Sequence, residues 1–101
     1  MLYEVDTPLV FSIISCESNW QADATNTNIG GSIDYGLFQI NNQYQASTAK
    51  EFKLNPKNVK DNIQLGFIIL KREGTRPWKS SYKCMENFLG KPLQQDWSGT
   101  S

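Results

Sequence analysis

A chain of 101 residues, 39% hydrophobic and 12% aromatic, is long enough for one small domain with a modest core. Ten basic and ten acidic side chains cancel, which argues against a nucleic-acid partner, and no apolar run reaches the ~18 residues of a membrane span. There is no histidine, so Ser-His-Asp and Cys-His catalysis are excluded, and two cysteines alone cannot hold a zinc.

The chemistry, if there is any, must come from carboxylates, Lys, Tyr or Ser, and no metal or cofactor is expected. Thr7 and Pro8 read as a helix start, with Thr7 as N-cap and Pro8 in the first helical position. Leu9, Val10, Phe11, Ile13, Ile14 and Trp20 then carry a helix over 8–21, with Trp20 read as core. "PLVFSIISC" has Glu4 and Asp6 just upstream and no basic residues before it. It is a poor secretory leader and a good buried helix. If the protein is exported, its leader has been removed or lies outside this sequence.

"ATNTNIGGSIDYG" is rich in Asn, Gly, Ser and Thr, and "NIGGS" reads as a hairpin turn between two short polar strands. "GLFQINNQYQASTAKEF" reads as a turn and then a short helix. Asn55 and Pro56 repeat the cap-plus-proline signal and open a second strong helix over 56–73. Val59, Ile63, Phe67 and Leu70 share one face of it. Leu65, Ile68 and Ile69 lie off that face, so the second half is apolar nearly all round, as in a central buried helix. Gly74 is its stop. A last short helix is expected over 79–89, ended by Gly90 and Pro92, and Trp97 stands out in the tail. No repeat or linker divides the chain. Residues 1–101 therefore read as one mostly helical α+β domain with a small β-hairpin inserted after the first helix.

Two carboxylates stand out. Glu17 is the only charged residue in the helix 8–21. Apolar surroundings would desolvate it and raise its pKa, as a general acid near neutral pH requires. The alternative is a Glu at the exposed edge of the helix, beside Ser18 and Asn19. Asp34 lies in the polar hairpin, where amides and asparagines favour the charged form. The alternative is an ordinary turn aspartate. One acid in an apolar setting and one in a polar setting make the split pair used for glycoside cleavage.

Cys16 and Cys84 could form a bridge worth ~4 kcal/mol in the chain-entropy model. They could equally be two buried reduced thiols. The choice depends mainly on export. "NTNIGGSID" is faintly like a calcium loop, but Leu37 stands where the closing Glu should be, so no calcium site is read there.

"ESNWQADATNTNIGGSIDYGLFQINN" closely resembles the active-site segment of the animal c-type lysozymes. The match spans roughly a quarter of the chain and keeps the family's spacing between the two acids without a gap. The resemblance implies a lysozyme-like fold with Glu17 as general acid and Asp34 as nucleophile or oxocarbenium stabiliser. It places Asn26 and Asn28 on hairpin asparagines that support the Asp and the substrate. Gln39 and Asn41 fall on cleft-floor positions that face the sugar. In that family a cysteine of the Glu-bearing helix, about one turn earlier than Cys16, pairs with a C-terminal one. Cys16 and Cys84 could imitate that pair.

The remainder, "TPLVFSIISCESNW" and "NPKNVKDNIQLGFIILKREGTRPW", is more similar to bacterial and phage soluble lytic transglycosylase domains. Both groups act on peptidoglycan, which implies a peptidoglycan glycan strand as partner and an extracytoplasmic location. A monomer is expected. The first functional expectation is a muramidase hydrolysing the β-1,4 bond between N-acetylmuramic acid and N-acetylglucosamine. The alternative is a lytic transglycosylase, which cuts the same bond to a 1,6-anhydro product. A non-catalytic glycan-binding module on the same fold is the third reading. Lytic transglycosylases usually have the Glu without the Asp, so Asp34 favours hydrolysis. Trp78 could wall Glu17, line a sugar subsite, or be a plain core residue. Tyr35 and Tyr44 could stack on sugar. The Lys and Arg of "LKREGTRPWK" read as a solvated basic edge that could also meet anionic wall polymer.

Overall fold

A computed structural model of the chain describes residues 6–93, and Trp97 lies outside them. Helix α1 spans Thr7–Ser18. Its N-cap is Asp6 rather than Thr7: the Asp6 carboxylate accepts the Leu9 N–H at 3.1 Å, and Pro8 falls within the first turn. The helix ends at Ser18, short of the expected 21, because Asn19 and Trp20 both adopt left-handed backbone (φ 52° and 63°). Trp20 is therefore off the helix. It is not core as expected but 49% exposed, edge-to-face on Phe11 with ring centroids 5.2 Å apart.

Three short antiparallel strands follow: β1 Thr25–Thr27, β2 Ile33–Tyr35 and β3 Ile40–Asn41, in the order β1-β2-β3. The expected hairpin is thus joined by a third strand from the "QIN" run. Gly30 and Gly31 (φ 99° and 97°) make the turn between β1 and β2. The register sets Asn26 and Asn41 on either side of Asp34.

Helix α2 spans Ala46–Phe52 and helix α3 spans Val59–Glu73. The α3 N-cap is Asn58, whose Oδ1 accepts the Asp61 N–H, so the helix starts after the Asn55–Pro56 signal rather than on it. Its buried face also differs from the expected one. Asn62, Leu65, Gly66 and Ile69 turn inward, while Val59 is 46% exposed and Ile63 and Phe67 only partly buried. The reason is polar and steric. Asn62 Oδ1 accepts the Phe38 N–H, and its Nδ2 donates to the carbonyls of Tyr35 and Pro56. At Gly66 a Cβ would come within 2.4 Å of the Phe38 ring. A buried amide clamp and a missing side chain thus dock α3 on the sheet, and neither registers as hydrophobic pattern.

Gly74 closes α3 as expected, its N–H bonded to the Leu70 carbonyl. The last expected helix is split into a 3₁₀ helix, Arg76–Ser81, and helix α4, Tyr82–Leu89, which Gly90 ends. One core joins Leu9, Val10, Ile13 and Ile14 of α1 to Phe38, Leu65, Ile69, Trp78 and Met85. A disulfide between Cys16 and Cys84, with Cα atoms 5.9 Å apart, fastens α1 to α4. The open question of bridge or free thiols resolves to the bridge. The architecture is α+β and mostly helical. No helix among the described residues is long and apolar enough to cross a membrane.

Candidate active site

A cavity of about 560 Å³ opens between the helical part and the sheet. Glu17 and the 3₁₀ segment form one wall, and the residues around β2 and β3 form the other. Both singled-out carboxylates line it.

Glu17 occupies the last turn of α1 and is half-buried. Its Oε2 accepts a 2.6 Å hydrogen bond from the Ser81 hydroxyl. Burial pushes the Glu17 carboxyl above its ordinary range, the Ser81 hydroxyl draws it partly back, and the negative charge of Asp34 adds a smaller upward push. The Cys16–Cys84 bridge begins one residue before Glu17 and ends on the turn after Ser81, so acid and hydroxyl are pinned by the same link.

Trp78 is 3% exposed, a core residue that also lines the cavity. Its indole Nε1–H donates to the Phe38 carbonyl at 2.8 Å, and its ring packs on that of Phe38.

Asp34 sits at the centre of β2. Its Oδ1 accepts the Asn41 amide at 2.8 Å. Asn41 is itself fixed: its Nδ2 also donates to Ser32 Oγ, and its Oδ1 accepts the N–H groups of Gln43 and Tyr44. Asn41 thus lines the cavity and braces Asp34. Asn28 lines the cavity while donating to the Ser32 carbonyl and hydroxyl. Gln39 lies nearly buried in left-handed backbone (φ 51°) and lines the cavity. Its Nε2 donates to the carbonyls of Ala24 and Gly36, and its Oε1 accepts the Asn26 amide at 2.7 Å.

The structure does not bring every expected residue to the cavity. Asn26 is outside the lining, spent on Gln39. Tyr35 follows Asp34 on the strand and so points to the other face, where Lys57 Nζ lies 5.3 Å from its ring centroid. Tyr44, 87% exposed, does line the cavity.

Sequence reasoning missed Ser81, a serine 64 positions from its partner with nothing local to mark it. It also missed Gln45 and Glu73, which line the cavity and share a 3.2 Å hydrogen bond. Among the described residues no cluster of three or more His, Cys, Asp or Glu could hold a metal ion. The arrangement can supply a proton from one wall and a carboxylate from the other.

A family model of the transglycosylase SLT domain matches residues 2–86. Lysozyme c-1 of Anopheles gambiae is 36% identical over 74 residues, which cover 65% of this chain and 53% of that protein. The chain therefore spans about half the length of that curated relative. No solved structure matches the chain significantly.

Proposed function

From a chain that belongs to the transglycosylase SLT domain family, within the lysozyme-like superfamily, we propose a single catalytic domain that cleaves peptidoglycan as a muramidase. The observation that carries this reading is the pair itself: Glu17, made less acidic by burial, shares one cavity with Asp34. The glycan strand lies between the two walls. Protonated Glu17 gives its proton to the glycosidic oxygen between N-acetylmuramic acid and N-acetylglucosamine, and the bond from that oxygen to the sugar C1 breaks. The Asp34 carboxylate stabilises or captures the electron-poor C1. Glu17, now a carboxylate, takes a proton from water, and the hydroxide adds to C1, breaking any bond from C1 to Asp34 and freeing its carboxylate, to leave a reducing end. Tyr44 supplies an exposed ring for a sugar face, and Asn28 and Asn41 supply amides.

The family match favours a second reading, the lytic transglycosylase. There the C6 hydroxyl of the muramic acid gives its proton to Glu17 and attacks C1, closing a 1,6-anhydro ring. Asp34 supports the hydrolytic branch. A sugar-binding module without turnover is the third reading, and the presence of both acids speaks against it. Work on wall polymer and a disulfide fit an extracytoplasmic location, and we propose that the protein acts there as a monomer.

Mass spectrometry of muropeptides released from purified peptidoglycan separates the three. Reducing ends are expected. Products lighter by one water would replace hydrolysis with transglycosylation, and binding without release would make the domain a glycan-binding module.

A further inference from the structure

The cavity contains two cations that the reaction leaves unused. Arg76 and Lys79 both line it, on the 3₁₀ segment that also carries Trp78. Both are exposed, and neither has an ion-pair partner among the described residues; the one salt bridge there joins Arg72 to Glu51 on α3 and α2. The segment that presents them is held at its middle, because the Trp78 ring is buried and its indole is bonded to the Phe38 carbonyl. Pro77 further restricts the backbone between them. Two unpaired cations thus flank a fixed anchor and face the same space as Glu17 and Asp34.

A neutral sugar chain gives such cations nothing to neutralise. Peptidoglycan does: each muramic acid carries a lactyl ether extended by a short peptide with free carboxylates. We propose that Arg76 and Lys79 form an anion-binding subsite for the stem-peptide carboxylates of the strand being cut. This rests on the peptidoglycan reading of the cavity and makes it narrower, because it selects stem-bearing strands over stripped or neutral ones. Wall polymers rich in phosphate are disfavoured, since the two cations lie in the cavity that takes the glycan rather than on a separate face.

Binding separates this inference from turnover. In a Glu17→Gln background, calorimetry compares muramic-acid tetrasaccharides with their stems, the same tetrasaccharides after amidase removal of the stems, and an oligomer of N-acetylglucosamine. The stem-bearing ligand is expected to bind tightest, and added salt should erode its advantage. Arg76→Gln with Lys79→Gln should cut that preference about tenfold, the product of two exposed charge contacts. Arg76→Lys with Lys79→Arg should restore it. An unchanged preference in the glutamine double variant overturns the subsite, as does an equal loss on all three ligands. If wild type releases no muropeptides while the preference holds, the catalytic reading fails and the subsite stands.

Discussion

The two walls of the cavity each present a carboxylate but hold it by different means. The Glu17 wall is core: α1 packs on α4, a disulfide joins them, and one hydroxyl reaches the acid. The Asp34 wall meets the core at Leu37, Phe38 and Ile40, but the strand that carries the acid is more open. β1 is exposed throughout, β2 is half-buried, and Asp34 is held through amide hydrogen bonds that run from Asn41 to the turn beyond it. The contrast shows how 101 residues place two identical functional groups in different settings. Burial makes one acid reluctant to ionise, and a polar mesh fixes the other without burying it.

The comparison breaks most sharply at Glu17. Glu17→Gln keeps the shape and removes the proton donor, so muropeptide release should fall about a thousandfold, within the range for a general acid. Retention of full activity would remove Glu17 from the chemistry. Next is the covalent tie behind it. Cys16→Ala with Cys84→Ala should cost about 4 kcal/mol by chain entropy, read as a lower urea midpoint. An unchanged midpoint would mean that core packing alone sets the Glu17 wall.

The sheet wall should yield more gently. Asn41→Ala deletes a donor to Asp34 and should lower kcat about tenfold, as expected for a lost hydrogen bond to a charged group. Helix content by circular dichroism should be unchanged, because Asn41 contributes nothing to the helical core. The smallest effect sharpens the comparison through pH. In the proposed mechanism Glu17 must be protonated to act, and its pKa lies above the ordinary value, so the alkaline limb of activity is expected to fall as pH climbs through that raised pKa. Ser81→Ala removes the one influence that favours the ionised form, so the alkaline limb of the pH–rate profile should move to higher pH. A shift to lower pH would contradict the hydrogen-bond assignment. The same raised pKa gives folding stability that is full below the ordinary Glu value and lost as pH rises through the raised one.

What could be read from the chain was what lies close along it. The two acids, their hairpin turn, the Gly74 and Gly90 stops and the helical character of 59–73 all have local signatures. The misses are contacts made in three dimensions. Asn62 looks like a solvent residue by pattern, yet it is 1% exposed because three backbone groups around the sheet and the α3 entry need partners. The cavity's Ser81 and the pairing of Asn26 with Gln39 likewise depend on where distant segments meet. Trp20 differs for another reason: Asn19 takes left-handed backbone and α1 ends at Ser18, two residues before it.

The link between Cys16 and Cys84 spans 68 positions of sequence. Glu17, Asp34, Asn41, Trp78 and Ser81 all lie between its ends, so both acids and the residues that hold them are enclosed in a single covalent ring. A protease that cuts the ring once, for instance at the fully exposed Ile29 on the hairpin tip, leaves no free fragment. The two new ends stay parts of one molecule, held by the bridge and by the core. That topology turns a first cleavage from a loss of the protein into a nick that it can survive.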